Sequence, residues 1–207
     1  MINSGIIARV LKTALLLPAT LVVGTAWHEV VGHGLVAVAC GGRITGIALF
    51  GLEIYPPTFV WAGTWPPQYG SCGTDGVTSE TADALVKLGG SLSTWLVSVV
   101  AVVLLCVRRW RGRPRTILIY LGIWWIDLLT YTLPTWGVPK SIFWGRLYSE
   151  PYEAATRLGV PGPLFQAWVV GSSVILAGAL IAGLRRRGER AARACDLRPR
   201  RPSRRAS

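Results

Sequence analysis

The stretch that decides the fold is residues 27–51, which read WHEVVGHGLVAVACGGRITGIALFG. It places two histidines and a glutamate inside an apolar run, followed by a glycine pair and a β-branched segment. Ionisable groups within a membrane span are costly, at about 2.5–3.5 kcal/mol for a central charge, and therefore mark functional positions. His28, Glu29 and His33 are thus candidate functional residues, provided that this run is a membrane span.

Four apolar segments of the chain each reach the roughly 20 residues that cross a bilayer core. They run from about Ala14 to Cys40, Leu85 to Val107, Thr116 to Trp136 and Leu164 to Leu184. Only 15% of the residues are charged, against roughly 25% in a soluble domain. The sequence therefore predicts an all-α polytopic membrane protein, in which residues 1–184 form a single transmembrane domain of about four helices.

The net charge of +12 is concentrated in two arginine-rich runs, at residues 108–115 and 185–205. Both runs directly follow apolar segments, which is where the cytoplasmic anchoring charges of membrane proteins lie. This position favours a topological role over nucleic-acid binding. We expect an integral, multi-pass membrane protein that contacts lipids, with both termini in the cytoplasm and no nucleic-acid partner. Residues 185–207 are predicted to form a basic, disordered tail.

The segment after the first span is predicted to contain a small β region. Arg43–Tyr55 is rich in β-branched and aromatic residues and is interrupted by two glycines, which favours one or two strands. Residues 56–67 carry prolines and tryptophans typical of a membrane interface, and residues 70–80 indicate a polar turn region. None of the four cysteines has CxxC spacing. Cys40 and Cys72 flank this loop and either pair or stay free.

The two histidines of the chain lie five residues apart in His28-Glu29-Val30-Val31-Gly32-His33. The zinc signature HExxH places its histidines at i and i+4 on one helix face, with the glutamate as general base. With one residue more, an α-helix would turn the two rings about 140° apart. A π-bulge would bring them back together, and Gly32 would let the backbone deform. The other interpretation is that one histidine or neither binds a metal.

Residues 27–51 resemble the first core helix of the site-2 protease family of intramembrane zinc metalloproteases. In that family an HExxH helix continues into small and apolar residues, a glycine pair and a strand. The variant form HExxGH found here is similar to the zinc helix of dipeptidyl peptidase III, a soluble enzyme. The resemblance to site-2 proteases includes the glycine-rich start of the second span at residues 89–94 and Asp127 in the third span.

The resemblance implies a zinc metalloprotease that hydrolyses peptide bonds of membrane-protein or peptide substrates. His28 and His33 would bind Zn²⁺, Asp127 would be the third ligand, and Glu29 would be the catalytic base. Asp127 matches the family by position, but the Asn-Pro and Asp-Gly context usual there is missing. Three other carboxylates are rival third ligands: Glu53, Glu150 and Glu153.

Two further alternatives stay open at the level of the sequence. The extra residue and the missing context also fit a non-catalytic pseudoprotease that acts as a membrane scaffold or chaperone. The β segment either pairs with an unwound substrate strand or packs over the bundle. The predicted orientation opens the site nearer the outer face, whereas site-2 proteases work close to the cytosol. The chain is therefore either inverted relative to the family or oriented opposite to the arginine-based prediction.

Overall fold

The computed structural model describes residues 4–61, 69–133 and 149–196, with side chains described for 16–61, 69–133 and 149–184. The end of the predicted third span, part of the interfacial segment and the last residues of the tail lie outside these ranges. The helices are α1 (Ser4–Trp27), a π-helix (His28–Leu35), α2 (Val36–Ala39), α3 (Glu80–Val107), α4 (Arg113–Leu121), α5 (Trp125–Thr132), α6 (Glu150–Arg157) and α7 (Gly162–Asp196). The strands are β1 (Arg43–Leu49), β2 (Leu52–Tyr55) and β3 (Gly70–Asp75).

Three helical segments in the described ranges are long and apolar enough to cross a membrane: Leu16–Ala39, Glu80–Val107 and Gly162–Leu184. They agree with three of the four predicted spans. The predicted span at 116–136 is instead divided into α4 and α5, each shorter than the roughly 20 residues of a full span. Between them, the N–H groups of Ile123 and Trp124 donate hydrogen bonds to the carbonyl oxygens three residues earlier. The helix therefore tightens into a 3₁₀ turn at this point.

Helix α3 lies at the centre of the bundle and contacts the π-helix, α4, α5, α6 and α7. It begins where Ser79 caps it, because the Ser79 hydroxyl oxygen accepts a hydrogen bond from the Ala82 N–H at 3.1 Å. Two buried clusters hold the helices together. One comprises Leu128, Ala155, Phe165 and Val169, and the other comprises Val102, Leu176 and Leu180. This packing fixes α5, α6 and α7 against α3.

The β region forms a three-stranded antiparallel sheet in the order β2-β1-β3. Phe50 and Gly51 have φ values of 53° and 79° and make the tight two-residue turn between β1 and β2. This hairpin confirms the predicted strands in Arg43–Tyr55. The sequence predicted a polar turn region from residue 70, but Gly70–Asp75 form strand β3 instead. These residues are extended because they pair with β1. Strand β3 pairs with β1 from Arg43 to Leu49, and β2 pairs with β1 from Ile47 to Leu49, so β2 and β3 are the edge strands of the sheet.

Helix α7 continues beyond the predicted fourth span as far as Asp196. Residues 185–196 are therefore helical, where the sequence predicted disorder. Arginine, alanine and glutamate are good helix formers, and the preceding part of α7 has already provided the costly helix nucleus. Residues 197–207 lie outside the described ranges.

Candidate metal centre

The motif helix is a π-helix from His28 to Leu35, which is the deformation that its extra residue predicts. Gly32 lies in its middle and is packed directly against α3. A Cβ on Gly32 would overlap the Cα of Gly90 and come within 2.8 Å of the Ser93 hydroxyl. The absence of side chains on both glycines thus lets the two helices touch at their backbones, and both histidine rings lie against α3.

The two imidazole rings converge on one point. Their Nε2 atoms are 3.1 Å apart, and the ring planes meet at 71°. Each Nδ1 is held by an acceptor: that of His28 lies 2.8 Å from Asp127 Oδ2, and that of His33 lies 2.7 Å from the Val86 carbonyl oxygen. A carbonyl and a carboxylate only accept, so each Nδ1 carries the proton in the neutral ring.

This assignment of tautomers leaves both Nε2 atoms with lone pairs that face each other. Two lone pairs at 3.1 Å repel unless a proton or a cation lies between them. Tetrahedral Zn²⁺ with bonds of about 2.0–2.1 Å would separate two nitrogen ligands by about 3.3 Å. The spacing and the buried position of both rings therefore fit a metal ion held by two imidazoles.

Gly90 on α3 keeps the space between the rings open. A Cβ built on Gly90 would lie 2.5 Å from the Nε2 atoms of both His28 and His33. Any side chain at this position would therefore occupy the point on which the rings converge. The glycine pair at the start of the second span thus has a steric function at the centre.

Glu29 is buried beside the histidine pair. Ligand atoms of His28, Glu29 and His33 all lie within 4.8 Å of one another, so this group could hold a metal ion. The carboxylate packs against Gly70 at the start of β3, where a Cβ would collide with Glu29 Oε1. The unexpected strand β3 therefore provides the room that Glu29 occupies.

Asp127 is brought to the site, but to the opposite edge of the His28 ring from Nε2. Its Oδ2 accepts hydrogen bonds from His28 Nδ1 and, at 2.7 Å, from the Thr94 hydroxyl. The sequence predicted Asp127 as a direct metal ligand. In the structure its Oδ2 contacts Nδ1 of His28, whereas the ring nitrogen that faces His33 is Nε2. This geometry suits a residue that orients His28.

The three rival carboxylates lie in different surroundings. Glu53 lies in β2 and accepts a hydrogen bond from the Thr58 hydroxyl, and Glu153 is ion-paired with Arg157. Only Glu150 reaches the centre: its Oε2 lies 3.7 Å from His33 Nε2. Partial burial raises the pKa of the Glu150 carboxyl above its ordinary value, and the neighbouring charge of His28 opposes this.

A cavity of about 280 Å³ lies between α1, α5 and the start of β3. Its polar end is formed by Glu29, Asp127 and Tyr131, and the Tyr131 ring lies 5.9 Å from that of His28. Its apolar end includes Leu17, Leu21 and Ile126, which are also exposed on the surface of the bundle. The cavity therefore connects the carboxylates to the apolar outer surface of the helices.

Sequence reasoning did not single out Val86, because it acts through its backbone carbonyl and its side chain carries no signal. Gly90 and Thr94 were noted as part of a glycine-rich segment, without their contacts. Cys40 and Cys72 are both free thiols in the structure.

The chain matches no protein-family model, no curated protein and no solved structure. A functional assignment therefore depends on the residues of the site and their geometry.

Proposed function

We propose that the protein is a zinc-dependent intramembrane peptidase that hydrolyses peptide bonds of membrane-embedded substrates. The observation that carries this proposal is the 3.1 Å approach of two buried Nε2 atoms with the Glu29 carboxylate beside them. Neutral imidazoles with a nearby carboxylate are a donor set that catalytic zinc sites use. The same residues support the proposed relationship to site-2 proteases, with HExxGH as a variant of the family motif.

In this proposal the two histidines hold the ion and Glu29 transfers a proton. His28 and His33 bind through Nε2, because the Asp127 carboxylate and the Val86 carbonyl keep the proton of each ring on Nδ1. Bound Zn²⁺ supplies a Lewis acid that lowers the pKa of water from 15.7 toward about 7. Glu29 takes the proton from the attacking water and delivers it to the leaving amine nitrogen as the C–N bond breaks.

The position of the cavity supports the proposal that the substrate enters from the membrane. Leu17, Leu21 and Ile126 line it on the side where α1 and α5 are exposed on the bundle surface. In a bilayer this surface contacts lipid tails, so an apolar peptide can enter without crossing water. Glu29 lines the same cavity, where it would meet the peptide bond of the bound substrate.

The test uses the full chain, purified in detergent and loaded with Zn²⁺, with fluorescein-labelled casein and a panel of synthetic single-span peptides as probes. We expect the wild-type chain to cleave at least one of these probes. Glu29→Gln should retain its zinc and lose about 10²–10⁴-fold in rate, the range that general acid–base catalysis contributes. Glu53→Gln is the matched control, because Glu53 lies in β2 and accepts a hydrogen bond from the Thr58 hydroxyl.

Two results would contradict the proposal. Undiminished cleavage by Glu29→Gln would remove the assigned base. A zinc-loaded wild-type chain that cleaves none of the probes, while binding other membrane proteins, would favour the scaffold or chaperone function instead.

A further inference from the structure

Glu150 is positioned by contacts that fix the start of α6. The buried residues Pro151, Ala154 and Ala155 pack this helix into the bundle, and α6 contacts both α3 and α5. The hydroxyl of the preceding Ser149 donates a hydrogen bond to the Tyr131 carbonyl oxygen at the end of α5. The first turn of α6 is therefore tied to the same two helices that surround the histidine pair.

The Glu150 carboxylate is close enough to share an ion with His33. Its Oε2 lies 3.7 Å from His33 Nε2, the nitrogen that faces His28. Around a tetrahedral Zn²⁺, with bonds of about 2.0–2.2 Å, a nitrogen and an oxygen ligand lie about 3.4 Å apart. The Glu150 side chain is 44% exposed, so it has room to rotate toward His33 Nε2.

The two other carboxylates near the centre, those of Asp127 and Glu29, have different contacts from Glu150. Asp127 accepts hydrogen bonds from His28 Nδ1 and Thr94 on the far edge of the ring. Glu29 packs against Gly70 and lines the cavity, where a base that meets the substrate is needed. Glu150 lies next to the Nε2 of His33 and is not among the residues lining that cavity.

We propose that Glu150 is the third protein ligand of the metal, completing a set of two histidines and one glutamate. This proposal rests on the proposed zinc site. Catalytic zinc sites keep three protein ligands and one open position, and two histidines with one glutamate are a known set. Glu150 then supplies the negative ligand from α6, and Glu29 stays free to act as the base.

The first test measures metal affinity, with Zn²⁺ titrated into the detergent-purified full chain against a chelating indicator. We expect Glu150→Gln to bind Zn²⁺ more than about 100-fold more weakly than the wild-type chain, beyond the 10–100-fold effect of outer partners. Glu153→Gln is the control on the same helix, since Glu153 is ion-paired with Arg157. Its affinity should be unchanged.

A second test gives a positive signal. In Glu150→Cys loaded with Co²⁺, the introduced thiolate should bind the metal and produce a thiolate-to-cobalt charge-transfer band. Glu153→Cys and the wild-type chain should lack this band. The proposal is overturned if Glu150→Gln binds Zn²⁺ as tightly as the wild type, or if Glu150→Cys binds Co²⁺ without the band.

The two proposals fail in different ways. If Glu150→Gln keeps its affinity while Glu29→Gln loses activity, the peptidase stands and the ligand assignment fails. If Glu150→Gln loses the metal but the wild-type chain cleaves nothing, the ligand assignment stands and the function fails. A wild-type chain that binds no Zn²⁺ contradicts both.

Discussion

Replacing Gly90 with alanine tests the steric function of this residue at the centre. The added Cβ would lie 2.5 Å from both Nε2 atoms, whereas carbon and nitrogen need about 3.5 Å for an unstrained contact. Each ring or the helix itself would have to move by about 1 Å, which is twice the tolerance of about 0.5 Å within which functional sites hold their geometry. The methyl group also occupies the position on which both lone pairs are directed.

The expected result is a large loss of metal affinity with a moderate loss of stability. We expect Gly90→Ala to bind Zn²⁺ more than about 100-fold more weakly than the wild type, since the displacement exceeds the positional tolerance of such sites. Extra volume in a packed interior also costs about 1–3 kcal/mol of folding free energy. The assays are zinc per chain after dialysis, competition with a chelating indicator, and thermal unfolding in detergent.

The matched control is Gly171→Ala in α7. A Cβ at Gly171 meets no atom within 4 Å, so this change adds a methyl group to α7 without a clash. Alanine is favoured over glycine in helices by about 1 kcal/mol, so stability should be equal or higher and zinc binding unchanged. If Gly90→Ala retains one zinc per chain at wild-type affinity, the ion does not lie between the two rings.

Two further predictions concern the surroundings of the centre. Asp127→Asn should weaken Zn²⁺ binding by about 10–100-fold, because the Asp127 carboxylate accepts a hydrogen bond from His28 Nδ1 and would act as an outer partner that orients the ring. A competition titration measures this, with Asp83→Asn on α3 as the control, and complete loss of the metal would favour Asp127 as a direct ligand. Burial, together with the negative charge of Glu29, raises the pKa of Cys72 to about 11. At pH 7 only about one Cys72 in ten thousand is then a thiolate, and alkylation by iodoacetamide should accelerate nearly tenfold per pH unit; mass spectrometry follows this, and a rate at pH 7 equal to that of free cysteine would contradict it.

The sequence was most informative where a local rule decides the structure. The spacing of His28 and His33 can be reconciled with one shared ion only if the helix widens, and Gly32 identifies where this happens. The hairpin of β1 and β2 follows in the same way from β-branched residues interrupted by glycine. In both cases the residues that determine the conformation lie within the segment itself.

The sequence did not predict the structure correctly where contacts between distant segments determine the conformation. Strand β3 reads GSCGTD and has little intrinsic preference for a strand, so it depends on pairing with β1. The sequence predicted Asp127 as a third metal ligand, whereas in the structure its Oδ2 lies 2.8 Å from His28 Nδ1. The 3₁₀ turn before α5 advances about 120° per residue instead of about 100°, which rotates Asp127 relative to a continuous α-helix.

The sequence also could not show which carboxylate lies next to the histidine pair. Glu53, Glu150 and Glu153 are equivalent as sequence features, since each lies outside an apolar span. Only the packing of α6 against α3 brings Glu150 to His33 and leaves Glu153 with Arg157. One turn of a helix thus separates a proposed metal ligand from a surface ion pair.

X-ray absorption spectroscopy of the zinc-loaded, detergent-purified wild-type chain tests most directly whether both histidines hold one ion. We predict two imidazole nitrogens at about 2.0–2.1 Å from the zinc, with oxygen ligands completing the coordination. A zinc site with one imidazole or none would contradict the convergence of His28 and His33 on a shared metal.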